Sequence, residues 1–153
     1  AGPVRISIVV PPRIHAIDGA LSPDGRTVVM MGRARTSEGV EEPFAQLYAR
    51  RLDEFEIRAI PMTDGVRQFV FSPDGRWIAF VATLPGEQSQ RRLWKVLVEG
   101  GSPPISLAEW NDAWSLGTWL HDGDLLIVTD LGTRFFRLSS SGGAPRPAVK
   151  LGS

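Results

Sequence analysis

Few side chains in this sequence have the types and spacing that catalysis or metal binding requires. The only histidines are His15 and His121, more than a hundred residues apart, and neither has a nearby partner spaced for a metal ion. Cysteine is absent, which excludes a thiol nucleophile, a disulfide and cysteine-ligated zinc. No Gly-x-Ser-x-Gly elbow, phosphate-binding glycine loop or kinase catalytic loop occurs. We therefore expect no catalytic residue, no metal site and no cofactor in this chain.

Aspartate recurs at regular intervals, at Asp24, Asp74 and Asp122. Calcium usually takes about six or more oxygen ligands from one dense loop, so a single aspartate per interval falls far short. In the turns that contain these aspartates, proline fixes φ, aspartate tolerates the next position and glycine accepts the left-handed conformation that reverses the chain. We predict a structural role for these turn residues: Ser22, Pro23, Asp24, Gly25, Ser72, Pro73, Asp74, Gly75, Asp122 and Gly123.

The turns belong to a longer internal repeat. Residues 71–80 match residues 21–30, fifty positions earlier, and residues 119–128, forty-eight positions later, with His121 in place of proline in the third copy. A second marker recurs in phase with the first, at residues 46–52, 92–98 and 134–139. Each repeat reads as four short strands joined by tight turns, because the segments are rich in β-forming residues and too short for typical helices.

The second strand of each repeat decides between two all-β architectures. Residues 77–82 are apolar without alternation, as expected for a strand that is covered on both faces. A β-sandwich would require alternation, whereas propeller blades are packed between their neighbours. We predict an all-β fold with three four-stranded antiparallel β-propeller blades per chain. Within residues 1–153, an extra strand occupies 1–11 and the blades occupy 12–61, 62–109 and 110–151.

Composition narrows the range of partners. The 17 basic and 17 acidic residues give a net charge of zero, so no overall field attracts nucleic acid. No apolar run reaches the roughly 18 residues that span a bilayer, and we expect no membrane insertion by this chain. We expect a protein or peptide partner.

Candidate binding residues are few. Trp77, Trp94 and Trp119 fall at strand positions, where a large aromatic side chain is expected to pack between blades. Trp110 and Trp114 lie in the predicted connection between blades 2 and 3 and are candidates for exposed recognition residues, and the long connections 34–43 and 84–90 are candidate binding loops. The candidate binding surface comprises His15, Arg67, Trp110 and Trp114.

The sequence at residues 71–80 resembles the WD40-like repeats of TolB-type six-bladed propellers. Residues 46–54, 94–101 and 136–145 resemble successive blades in the extracytoplasmic propellers of bacterial receptor-like serine/threonine kinases, and the resemblance covers roughly residues 5–150. It implies a non-enzymatic module for protein or ligand binding, located in the periplasm or at the cell surface. The same blades also occur in prolyl oligopeptidase-like serine peptidases, so a peptidase propeller domain is the alternative.

Three blades cannot close a ring, because propellers typically have about four to eight. We expect bare apolar faces on the first and third blades, formed by residues 28–31 and 125–128, and a monomer seldom exposes such patches. Two copies related by a two-fold axis would supply six blades, the number that the resemblance implies, so each chain would be half of a six-bladed ring. Residues 4–10 would pair as an extra strand against a third blade. If the chain is a piece of a longer propeller, missing blades would cover the same faces.

Overall fold

The regular structure of this chain consists of β-strands. A computed structural model describes Pro11 and residues 13–83, 91–110, 114–129 and 134–148, and throughout these ranges every regular element is a strand. The strands form three four-stranded antiparallel sheets, and within each sheet consecutive strands are neighbours. The predicted all-β class and the propeller blades are therefore confirmed. The expected N-terminal strand at residues 4–10 lies outside the described residues.

Each blade is a meander that starts at its innermost strand. Blade 1 contains β1 (Ile14–Leu21), β2 (Thr27–Ala34), β3 (Gln46–Arg51) and β4 (Arg58–Ala59). Blade 2 contains β5 (Val66–Phe71), β6 (Trp77–Thr83), β7 (Arg91–Leu97) and β8 (Ile105–Trp110). Blade 3 contains β9 (Trp114–Trp119), β10 (Asp124–Thr129), β11 (Arg134–Ser139) and β12 (Arg146–Pro147).

The turn between the first two strands has the predicted conformation in all three blades. Gly25, Gly75 and Gly123 have φ angles of 75°, 74° and 98°, in the left-handed region that glycine tolerates best. The third turn is one residue shorter, because the Leu120 amide donates to the carbonyl of Asp124. In blade 2 the corresponding bond from Ser72 reaches Trp77, one residue further along. Asp124 is therefore the structural equivalent of Trp77, which corrects the ungapped alignment of the repeats.

The core lies between the blades. Ile78 and Phe80 on β6 pack toward blade 1, whereas Ala79 and Val81 on the same strand pack toward blade 3, and all four are at most 1% exposed. The partners in blade 1 include Val29, Met31 and Leu47, and those in blade 3 include Leu125, Ile127 and Leu138. Burying a side chain of this size contributes roughly 1.5–3 kcal/mol. The second strand of blade 2 therefore holds both neighbouring blades.

The sequence predicts second strands that are buried on both faces. In strand β10 of blade 3, however, buried and partly buried side chains alternate. Leu125 and Ile127 are fully buried against blade 2, whereas Leu126 and Val128 on the opposite face are only partly buried. Phe135 pairs with Val128 on that face and is 47% exposed. Blade 3 thus presents a partly exposed apolar face on the side away from blade 2, which we call the free face of blade 3.

The bare face expected on blade 1 is not found. Val28 and Met30 point away from blade 2, yet they are only 8% and 5% exposed. They cluster with Ile14 and Tyr48, and Leu52 and Ile57 pack against the same cluster. The prediction was wrong for this blade because β1 and the β3–β4 turn supply side chains that cover part of the face. Its exposed remainder is Leu21, which pairs with Val28 and is 40% exposed.

Two arginines connect consecutive blades through backbone carbonyls. Arg58 on β4 donates to the Val98 carbonyl of blade 2 at 2.8 Å, and Arg91 on β7 donates to the Trp114 carbonyl of blade 3 at 2.8 Å. The segment between blades 1 and 2 is fixed by Thr63, which is 0% exposed. Its hydroxyl donates to the Ile60 carbonyl and accepts from the Leu47 amide. The blades are therefore joined by polar contacts as well as by the apolar core.

The conformation of Gly75 gives a stability prediction. We expect Gly75→Val to lower the free energy of unfolding by roughly 1 kcal/mol or more, because a β-branched residue is strained at positive φ. Its Cβ would lie 3.5 Å from Pro23 Cδ, an ordinary contact, so the cost comes from the backbone. Arg76→Val is the matched control, because it places the same side chain one residue later, where φ is not positive. Equal denaturation midpoints for the two variants would contradict the turn assignment.

Candidate functional site

The innermost strand of each blade contains a β-bulge. The pairing of β1 with β2 skips Ile17, that of β5 with β6 skips Arg67, and that of β9 with β10 skips Gly117. The three bulged residues are spaced by fifty positions, and all three are exposed. β1, β5 and β9 each pair on one edge only, and β5 and β9 contact each other. The bulges therefore place one exposed residue per blade on the strands nearest the propeller axis.

Arg67 is the bulged residue with the most distinct chemistry. It is exposed, and among the residues that the structure describes it has no ion-pair partner. A guanidinium in this position can bind a carboxylate or a phosphate through two parallel hydrogen bonds. The neighbouring residue, Gln68, accepts a hydrogen bond from the Leu116 amide at 3.0 Å and so connects β5 to β9. The strand that carries Arg67 is thereby anchored to the next blade.

His15 is held by an ion-pair cluster in blade 1. Its Nδ1 lies 2.5 Å from Glu41 Oε1, and Arg35 Nη2 lies 3.4 Å from the same oxygen. Glu41 belongs to the 34–43 connection, where it forms an isolated β-bridge with Arg35. This candidate binding loop is thus an ordered extension of the hairpin between β2 and β3. His15 and Arg67 lie on neighbouring inner strands, but no described contact joins them.

Of the two tryptophans expected to be exposed, the structure describes the side chain of Trp114, and it is buried. Trp114 is the first residue of β9, is 2% exposed and packs with Leu116 and Leu125. The proposal that it is an exposed recognition residue is therefore wrong, because β9 begins at this position and turns the indole into the core. Trp110 is the last residue of β8, and its side chain lies outside the described residues, as do the connections 84–90 and 131–133.

The turn aspartates are engaged in hydrogen bonds within their own hairpins. Asp74 Oδ1 accepts from the Ser72 hydroxyl at 2.6 Å and from the Arg76 amide at 3.0 Å, while Ser72 Oγ accepts from the Trp77 amide. Blade 1 repeats this network around Asp24, with the same distances. The serine hydroxyl and the backbone amide lower the pKa of both carboxyl groups.

The aspartate of the third turn also accepts hydrogen bonds, but from different residues. Leu120 replaces serine, and Asp122 accepts from the Asp124 amide at 3.0 Å and from Arg137 at 2.8 Å. The amide and the arginine lower the pKa of Asp122.

Among the described residues, no three histidine, aspartate or glutamate side chains gather into a metal site. None of the described segments forms a helix long and apolar enough to cross a membrane.

Solved structures with this arrangement of blades are β-propellers. The β-propeller domain of the Trilobed protease from Pyrococcus furiosus is 20% identical, with a TM-score of 0.62 over 88% of this chain and 43% of its own. A putative TolB from Agrobacterium tumefaciens is 16% identical, with a TM-score of 0.55 over 85% of this chain and 63% of its own. Puromycin hydrolase is 22% identical, with a TM-score of 0.64 over 90% of this chain and 23% of its own.

These similarities establish the fold. The chain has the blade architecture of TolB-like proteins and of peptidase propeller domains, and it covers less than two thirds of the length of each of these three structures. No family model and no curated protein matches the sequence. At such low identity, function has to be inferred from the residues of this chain.

The turn network predicts a pH dependence. Because the pKa of Asp74 is lowered from its ordinary value of 3.8, its ionised form stabilises the fold above that value. The contribution is lost as the pH falls through the folded-state pKa. We expect Asp74→Asn to be less stable than the unmodified chain at about pH 7 and the difference to shrink at about pH 2. Denaturant midpoints at the two pH values measure it, with Asp64→Asn as the control for a generic charge effect. An unchanged difference would contradict the proposed network.

Proposed function

We propose that this chain is a non-catalytic β-propeller module that binds a protein or peptide partner and whose ring is completed by further blades. The observation that carries the proposal is the free face of blade 3. Leu126 and Val128 on that face are the structural equivalents of Ala79 and Val81 in blade 2, because the third turn is one residue shorter. Ala79 and Val81 are covered by blade 3. The equivalent surface of blade 3 therefore favours another blade as its partner.

The described residues support a binding role more than a catalytic one. His15 is paired with Glu41, and His121 lies in a turn of blade 3, so the two histidines are in different blades. The turn aspartates use their carboxylates within their own hairpins. The inner strands instead offer exposed side chains, and Arg67 supplies a positive charge there. An acidic group of a partner, such as a carboxylate, fits this part of the propeller.

A second copy of the chain is the source of additional blades that we propose. Two copies would supply six blades, and each free face would be covered at one of two equivalent contacts. Val28 and Met30 are already buried, so blade 1 offers only a small apolar surface to the free face of blade 3. We therefore propose that contact on blade 1 centres on Leu21, the exposed residue beside Val28. A blade from a longer parent polypeptide is the competing source.

The cellular setting follows from the resemblance of the repeats. Sensor regions of bacterial receptor-like kinases and TolB-type components both function outside the cytoplasm, and we propose an extracytoplasmic location for this module. The structural similarity to a putative TolB supports the TolB-type setting. A transmembrane segment and a kinase domain in the same gene would support the sensor setting.

The propeller domain of a serine peptidase is the alternative function. Acylaminoacyl peptidase from Pyrococcus horikoshii is 16% identical and has a TM-score of 0.56, and prolyl oligopeptidase B from Galerina marginata is 12% identical and has a TM-score of 0.63. This chain covers 17% and 23% of those proteins. An α/β-hydrolase with a nucleophile elbow in the parent gene would favour this alternative over a binding module.

Ring closure can be tested by sedimentation. At micromolar concentration we expect a species with twice the chain mass of 16.8 kDa, and we expect Leu126→Glu to convert it to a monomer. A charge on the free face would be buried without a partner at the contact. Ile105→Glu is the matched control, because Ile105 is 46% exposed on β8 of blade 2, whose two neighbouring blades both belong to this chain. A stable monomer of the unmodified chain that binds no hydrophobic dye would contradict the closed ring.

The absence of catalysis is a separate prediction. We expect no turnover of peptidase and esterase substrates by the isolated chain. The serine hydroxyls that donate to carboxylates, those of Ser22 and Ser72, are buried within their turns and do not reach a substrate. We also expect the melting temperature to be unaffected by a chelator. Turnover that is abolished by one point substitution, or a chelator-dependent melting temperature, would contradict the non-catalytic assignment.

A further inference from the structure

A cavity of about 350 Å³ opens between the turns of blades 2 and 3. It lies beside the turns that connect the first and second strands of these blades, at the end of the inner strand β9 and on the opposite side of blade 3 from the free face. Its size is within the range of small-molecule sites, which begins at about 300 Å³. It is lined by Trp77, Trp119, His121, Lys95, Ser72, Pro73, Asp74, Gly123 and Ser140.

The internal repeat separates the residues that the fold needs from those that it does not. Glycine recurs at the left-handed turn position of every blade. The side chains that line the cavity do not recur in this combination: neither indole is repeated, although Phe71 keeps an aromatic ring at the position of Trp119. The residues that replace its members elsewhere in the chain are Thr27 and Asp124 for Trp77, Leu21 and Phe71 for Trp119, Pro23 and Pro73 for His121, and Ala49 and Arg137 for Lys95.

The matching cavity between blades 1 and 2 has a different character. Its volume is about 370 Å³, and arginines and acidic residues line it without an aromatic side chain. Blade geometry therefore creates a concavity at each junction, but only the junction of blades 2 and 3 combines two indoles and an imidazole among the described cavities. Four departures from the repeat converge on one cavity, which indicates a role beyond folding.

The two indoles are held in place. Trp119 Nε1 donates to the Gly123 carbonyl at 3.2 Å, and the indole also packs against the core between blades 2 and 3. Lys95 Nζ lies 4.8 Å from the centroid of the Trp77 ring, a cation–π distance. Side chains that are already ordered lose little conformational entropy when a ligand binds.

The charges of the cavity balance. Lys95 contributes one positive charge and Asp74 one negative charge, so the lining has no net preference for an ion. The indole of Trp119 and the face of Trp77 that Lys95 does not cover suit the C–H face of a sugar ring. Asp74 Oδ2, which the turn network does not use, is a hydrogen-bond acceptor for hydroxyl groups, and Lys95 and His121 are donors. We propose that this cavity binds an uncharged saccharide through its pyranose ring. The inference does not depend on ring closure, because Leu126 and Val128 lie on the opposite face of blade 3.

The repeat supplies conservative variants for the test. Trp77→Thr and Trp119→Phe each introduce the residue found at the equivalent position of another blade, so we expect both variants to fold. Trp94→Tyr is the matched control, because it also removes one indole and introduces the residue at the equivalent position of blade 1, Tyr48. Trp94 packs against the core between blades 1 and 2 and does not line the cavity.

Calorimetric titration with uncharged trisaccharides of glucose and of N-acetylglucosamine, up to millimolar concentration, tests the proposal. We expect one of them to bind, Trp77→Thr and Trp119→Phe to weaken binding by about tenfold, and Trp94→Tyr to leave it unchanged. Melting temperatures report whether each variant is folded. The proposal is overturned if no trisaccharide binds, if the cavity variants bind normally, or if only a proline-rich peptide binds. Loss of binding in Leu126→Glu would also overturn it, because that would locate the site at the ring contact.

Discussion

The burial of the second strand of a blade between two neighbours is the interaction on which this structure depends. On β6, larger side chains, Ile78 and Phe80, face blade 1, and smaller ones, Ala79 and Val81, face blade 3. A single four-stranded sheet cannot bury both of its faces, so each blade obtains its core from adjacent blades. Stability in such arrays is approximately a sum of blade and interface contributions. Blade 2 alone has both interfaces within the described chain.

Local sequence determined the parts of the fold that could be predicted. The Ser-Pro-Asp-Gly turns specify their own backbone conformation, so the hairpins and the strand order followed from them. The apolar run at β6 indicated burial on both faces and hence propeller blades. Those two signals do not depend on distant residues, which explains why they were sufficient for the architecture.

Other features depend on contacts that the sequence does not encode locally. The shorter third turn escaped prediction because Asp122-Gly123 aligns equally well without a gap, although the structure pairs Asp124 with Ser139. Trp114 is buried because β9 begins there. The sequence does not mark the start of this strand, so the prediction places Trp114 in an exposed connection. Bulges at Ile17, Arg67 and Gly117 add a single residue to a strand and leave no compositional trace. Arg67 was named as a binding candidate, but its equivalence to Ile17 and Gly117 required the strand register.

The repeated bulge has a consequence for how such a propeller can change its specificity. A residue that is skipped by the pairing belongs to neither packed face of the blade, so the core places little constraint on positions 17 and 67. Position 117 is tighter, because a Cβ there would lie 3.1 Å from the Leu126 carbonyl oxygen. This chain already has an aliphatic side chain, a guanidinium and a bare backbone at the same structural position in its three blades. Substitutions there alter the chemistry near the axis while the interfaces between blades remain intact. At positions 17 and 67 the lining of the axis can therefore take on new chemistry without a change in the packed faces of the blades.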